Sequence, residues 1–237
     1  MPAMPQELIP FAVGGMVVLV IGLSIWGAIL ARKRREALQA WAAGKGMSFD
    51  AGRDSSLDER YPGFSCLRQG SGRYAYNRMR GRVGDRRVEA FDYHYETHHT
   101  DSEGKRKTSH HHFSAVVVDS GLPLKPLLVR AESVFDKIAG AFGYDDIDFE
   151  SAEFSRRYCV KSPDRKWAYD VLHARTIEFL MQQPKLTLEF DYAHVMVWRG
   201  SKMDVEGYEA ALAMAMGVLD RLPQYVVEQQ VQGGGRA

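Results

Sequence analysis

RYAYNRMRGRVGDRRVEAFDYHYET, residues Arg73–Thr97, is the stretch that decides the fold class. Gly84-Asp85 interrupts it with the short, flexible pair that suits a hairpin turn. After the turn, Phe91, Tyr93 and Tyr95 alternate with Asp92, His94 and Glu96. Period two puts the aromatic set on one face of a strand and the polar set on the other, so one buried and one wet face are expected. Working outward, His112–Asp119 reads as a third strand reached through a polar loop, Thr100–Ser109. Leu122–Val129 is extended between prolines, Phe154–Val160 reads as a strand, and Leu186–Phe190 with His194–Trp198 reads as a second hairpin. Helical signals are interspersed. Ser133 caps a short helix ending near Gly143. Ser162-Pro163 opens a helix to about Gln183 with the stripe Trp167, Val171, Ala174, Ile177 and Met181. Asp204 caps a last helix carrying Tyr208, Ala211, Ala215, Val218 and Leu222, closed by Pro223. The expected class is α+β, with a largely antiparallel sheet and two to three packed helices in one domain, residues 47–230, before a flexible tail, 231–237.

Upstream of the domain lies a different kind of sequence. From Ile9 to Ala31 no residue is charged, and as a helix this run measures ~35 Å, enough to cross a ~30 Å hydrocarbon layer. Met1–Leu8 carries only Glu7, which does not fit a cleaved signal peptide, whereas Arg32, Lys33, Arg34 and Arg35 follow the run directly. The positive-inside rule then places residues 1–8 outside and the domain in the cytoplasm of a single-pass protein, with 9–31 as the transmembrane helix and 32–46 as a basic helical extension stopped by Gly44 and Gly46. The four basic residues are expected to flank the lipid bilayer. Gly27/Ala31 and Ser24/Ala28 have the small-xxx-small spacing that would allow a homodimer.

A formal net charge of +1 provides no global field for nucleic acid, and aromatic and basic residues are not interleaved as a base-stacking platform. Cys66 and Cys159 form no CxxC pair and read as reduced thiols. Phosphate-loop, dinucleotide, HExxH and GxSxG motifs are absent, so no catalytic residue is assigned. Asp146, Asp148 and Glu150 suggest a calcium loop, but Ser151 replaces the required glycine and Arg157 the required final glutamate. Histidines stand out instead. Of 8 in the chain, His94, His98, His99, His110, His111 and His112 fall on either side of the Thr100–Ser109 loop. Strand alternation groups Asp92, His94, Glu96 and His98 on one face, and pairing across the loop would add His111. This donor set suits zinc or a similar transition metal. Against it stand a solvated sheet face, with no cofactor at all, and a cluster that responds only to pH.

Two phrases carry a resemblance. Phe91-Asp92-Tyr93-His94-Tyr95 reads as FDYxY, and residues 146–160 read as DIDFExxxFSxxYxV. With the N-terminal apolar helix and the Leu122-Pro123 turn, they resemble an uncharacterised family of bacterial membrane-anchored proteins over roughly residues 45–225. That resemblance implies a bacterial inner-membrane location and one shared domain, and it carries no site residue. Ala131-Glu132 departs from its Pro-Glu, and the histidines lie outside its pattern. The expected function is a non-enzymatic, membrane-tethered module that binds a protein partner or helps assemble a complex. The alternative is a metal- or pH-responsive module using the His94–His112 hairpin.

Overall fold

A computed structural model describes residues 9–101, 104–131 and 144–234. The expected N-terminal stretch 1–8, the helix from Ser133 to Gly143 and the last three residues of the tail lie outside that set. The long helix α1 (Ile9–Gly44) leads into β1 (Ser48–Asp50), α2 (Leu57–Arg60), a 3-10 turn (Ser65–Arg68), β2 (Ser71–Val83), β3 (Arg86–Thr100), β4 (Arg106–Asp119) and β5 (Leu127–Ala131). Then come α3 (Ala152–Arg157), β6 (Tyr158–Lys161), α4 (Arg165–Val171), α5 (Ala174–Gln182), β7 (Thr187–Phe190), β8 (His194–Arg199), α6 (Val205–Leu219) and α7 (Gln224–Gly234). The strands form one 8-stranded sheet in the order β1-β2-β3-β4-β8-β7-β5-β6, and each pairing is antiparallel. The α+β class with a large antiparallel sheet is as the sequence suggested.

Alternation along the strands builds two cores. Val88, Ala90, Val116, Val118, Val195 and Val197 face the larger one, closed by α1, α4, α5 and α6. Phe91, Tyr93, Tyr95, Phe113, Ala115, Met196 and Trp198 face the smaller one, closed by Leu57 of α2 and by Phe64, Cys66 and Leu67 around the 3-10 turn. The second face of β3 is therefore not wet as expected. Every residue from Val88 to Tyr95 is buried, because helices cover the side opposite the aromatics.

Three further expectations are corrected. Phe154–Val160 is not one strand: the Ser151 hydroxyl accepts from the Phe154 amide, nucleating α3, and the strand begins only at Tyr158. The helix expected from Ser162 to Gln183 is two. Asp164 caps α4 through the Trp167 amide, and extended backbone at His173 separates it from α5. Of the expected stripe, Trp167 and Val171 are buried and Ile177 and Met181 pack half-buried on the core, whereas Ala174 is exposed and α5 buries Thr176 and Leu180. Residues 231–234 of the expected flexible tail belong to α7 (Gln224–Gly234). More helices pack on the sheet than the two to three expected. By contrast α6 begins at its Asp204 cap, with the side chain accepting from the Gly207 amide.

Helix α1 is continuous from the apolar run into the domain. Its last third packs on β1, β2 and α6, burying Leu38 and Ala42 completely. Full burial of one such leucine contributes about 1.5–3 kcal/mol. Trp41 packs against Tyr208 with ring centroids 5.8 Å apart and donates to Glu209 at 2.7 Å, so it is part of the domain. Further back, Leu19, Val20, Ile21, Leu23, Ile25, Trp26, Ile29 and Leu30 are all exposed. Among the described residues no helix is long and apolar enough to cross a membrane. The expected transmembrane span over 9–31 is thus shown only as part of helix α1.

Candidate functional site

Two polar constellations sit on the same face of β3, one beside the other. The first centres on Asp92, which is 0% exposed. Arg34 of α1 donates Nη1 to Oδ2 at 2.7 Å and Nη2 to Oδ1 at 2.8 Å, a bidentate charged pair. Ser114 of β4 donates to Oδ1 at 2.5 Å, Tyr208 of α6 donates to Oδ1 at 3.0 Å, and Asn77 of β2 donates Nδ2 to Oδ2 at 2.8 Å. Arg34 also donates to the Met203 carbonyl, and the Met203 amide donates to the Ser114 hydroxyl at 2.9 Å. Burial alone would raise the Asp92 carboxyl, but the Arg34 guanidinium and the Ser114 and Asn77 donors hold it below the usual carboxylate range. Burial likewise pushes the Tyr208 phenol far up, keeping it a donor.

Asn77 reaches this node through an unusual backbone. Its φ of +48° is the one positive value among the described non-glycine residues, and it falls at the register shift between Tyr76 and Met79. An asparagine tolerates the left-handed region better than most residues, and the bulge turns its amide toward Asp92.

The second constellation uses the hairpin ends. The register opposes His94 to His112, Tyr95 to His111 and Glu96 to His110. His94 Nδ1 lies 3.0 Å from the Gly72 carbonyl, which can only accept, so Nδ1 is the donor and the neutral form of the ring presents its lone pair at Nε2. That Nε2 lies 3.2 Å from His110 Nδ1, which in turn lies 3.4 Å from Glu96 Oε1. Gly72, at φ +58°, permits this arrangement: a Cβ there would stand 3.1 Å from the Glu96 carboxyl carbon.

The structure thus joins His94 and Glu96 of the sequence-derived set and separates the rest. Asp92 is consumed by Arg34. Both ring nitrogens of His98 have partners, Ser71 at 3.0 Å and Thr108 at 3.0 Å. His111 points the other way, its ring stacked on Tyr95 at 4.7 Å and its Nε2 2.8 Å from Thr97 Oγ1. His110 is the residue that sequence reasoning passed over. His112 lies beside the group with Nδ1 3.1 Å from the Tyr76 hydroxyl, and burial lowers its basicity. Of the expected membrane-flanking residues, Arg34 turns inward to Asp92 while Arg32 pairs with Glu36 on the exposed side at 2.8 Å. Lys33 and Arg35 also lie on this turn.

A third feature is an open cleft of about 550 Å³ on the smaller-core side, lined by Arg60, Tyr61, Arg80, Arg87, Glu89 and His194. Four arginines, Arg60, Arg80, Arg82 and Arg87, face two carboxylates there, Glu89 and Asp119. Arg60 pairs with Glu89 at 3.2 Å, and the Tyr61 hydroxyl donates to Glu89 at 2.9 Å.

The chain matches no protein-family model and no curated relative. A solved structure does superimpose, the crystal structure of the mycobacterial trehalose monomycolate transport factor A, TtfA. The TM-score is 0.61 at 13% identity, over 81% of this chain and 99% of that one. The two share a fold. At that identity the likeness concerns architecture.

Proposed function

We propose that the protein is a membrane-tethered, non-enzymatic module whose domain binds a protein partner or helps assemble a complex. The observation that carries this reading is the Arg34–Asp92 pair, which fuses the helix leaving the apolar run to the centre of the sheet. A tether meant only to localise an enzyme needs no such coupling. A module that presents a surface at a fixed height and orientation does. The exposed apolar side chains from Leu19 to Leu30 surround the projecting helix, and an all-round apolar helix is stable only when covered by protein or lipid. Basic residues following the run support a bilayer as that cover, with the domain on the cytoplasmic side of a bacterial inner membrane. The fold is shared with a protein named a transport factor, so service to a transport assembly is the narrower form of the same proposal.

The test is made in native membranes, with a photo-crosslinking residue at Tyr192, whose side chain is 71% exposed. Retention of the chain after alkaline carbonate extraction, together with a reproducible adduct to a defined protein, is the expected result. Extraction into the soluble fraction, or no reproducible adduct from this and other exposed positions, would remove the proposal.

A further inference from the structure

We infer that His94, Glu96 and His110 form a binding site for one divalent transition-metal ion, with zinc as the representative ligand.

The geometry is that of a coordination shell rather than of a polar patch. Ligands at ~2.1 Å from a tetrahedral ion stand ~3.4 Å apart, as follows from ordinary zinc–nitrogen and zinc–oxygen lengths. His94 Nε2 and His110 Nδ1 are 3.2 Å apart, and His110 Nδ1 and Glu96 Oε1 are 3.4 Å apart. Each of the three residues offers one ligand atom within 4.8 Å of the other two. Three protein ligands leave a fourth position, which water fills on the open side where His110 stands.

Support around the ligands is already in place. A metal-binding imidazole commonly donates its other ring N–H to a carbonyl or carboxylate, which fixes tautomer and ring orientation. His94 does so to Gly72, and its ring is held by stacking on Tyr74, centroids 4.6 Å apart. Gly72 serves twice, since its carbonyl fixes His94 and its missing Cβ makes room for Glu96. The residues come from neighbouring strands, β3 and β4, backed by β2, so the ligand atoms converge before any ion arrives.

Proton accounting is simple. Without an ion, His110 Nδ1 faces a lone pair on His94 and a carboxylate oxygen, so its proton sits on Nδ1. Binding requires that proton to move to Nε2, and the side chain is 59% exposed, so exchange with water is open. Glu96 supplies one negative charge, leaving the loaded site at +1. The other hairpin histidines do not share this convergence, since His98 and His111 are engaged with Ser71, Thr108, Thr97 and Tyr95.

The experiment is a cobalt(II) titration, followed by zinc competition, of the full chain in detergent micelles, prepared without a histidine tag. The expected result is a visible ligand-field absorption that saturates at one equivalent and is displaced by zinc. His110→Ala and Glu96→Gln should weaken binding by about 100-fold or more, since each removes a direct ligand where even outer-shell losses amount to 10–100-fold. His98→Ala and His111→Ala should leave it unchanged. His110 is exposed enough that its loss spares the fold, which circular dichroism checks. Saturation beyond one equivalent, equal losses in His98→Ala, or full binding in His110→Ala each overturn the site.

Discussion

Arg34 and Asp92 lie 58 residues apart in sequence and meet as a two-bond guanidinium–carboxylate pair, at 2.7 and 2.8 Å, between the long helix and the third strand. The carboxylate is closed off from water and also holds Asn77, Ser114 and Tyr208. Four elements, α1, β2, β4 and α6, therefore converge on one group of β3.

Removing one partner of such a pair leaves an uncompensated buried charge. Asp92→Ala is expected to destabilise the fold by about 3–5 kcal/mol, and Arg34→Met by a similar order. The Arg34→Met/Asp92→Ala double variant should lose clearly less than the sum, because neither charge is then stranded. Urea unfolding followed by tryptophan fluorescence measures all three. Additive losses would show that the pair is not coupled.

Asn77 combines a costly backbone with a useful side chain. Asn77→Gly relieves the left-handed strain but loses the hydrogen bond to Asp92, whereas Asn77→Ala loses the bond and keeps the strain. The alanine variant should therefore be less stable than the glycine variant by roughly 1 kcal/mol. The same unfolding measurement decides, and equal stabilities would mean that the bulge relaxes.

Glu189 gives the fold an inverse pH dependence. It alternates with Leu188 and Phe190, so it faces the smaller core, and burial pushes its carboxyl from 4.5 up to about 8. The folded state keeps the proton over a range in which the unfolded chain has lost it. This contribution is thus fully present below pH 4.5 and is lost as pH rises through about 8. Stability should fall across that window, and Glu189→Gln should flatten the slope. Asp92, held low by Arg34, acts with the opposite sign and loses its contribution only in acid. A stability curve rising from pH 5 to 8, or one unchanged in Glu189→Gln, would contradict the assignment.

Both thiols should be slow to react. Cys66 and Cys159 are buried and unbridged, and burial raises each thiol above its ordinary range. Alkylation of the native chain should proceed far more slowly than in urea, with Cys66 the slower, as mass spectrometry would resolve. Rapid labelling of Cys66 without denaturant would indicate that the 3-10 turn opens readily.

The hairpin was legible because Gly84-Asp85 and the Phe91, Tyr93, Tyr95 alternation are local signals that agree with each other. The Asp204 cap was legible for the same reason. Phe154–Val160 was misread because aromatic alternation looked like a strand, while the Ser151 cap that makes a helix lies just outside it. The break at His173 has no glycine or proline to announce it. The site was half visible. Alternation alone groups His94 with Glu96, but choosing among three consecutive histidines requires the register, and a one-residue slip exchanges His111 for His110. The partner of Asp92 was hidden because nothing local distinguishes Arg34 from Arg32, Lys33 or Arg35. Only the docking of α1 selects it.

That docking has a directional consequence. Arg34, Leu38 and Ala42 lock the rotation of α1 about its own axis, and the helix continues unbroken toward its N-terminus. Gly27 lies seven residues before Arg34, about two turns, and so returns to nearly the same azimuth, with Ala31 beside it. The side of the projecting rod that carries Ser24, Gly27 and Ala31 is therefore in line with the docked face, while Ala28 turns further round. A neighbouring helix seated against Gly27 and Ala31 would have to stand over the domain itself, so the rod has a front and a back.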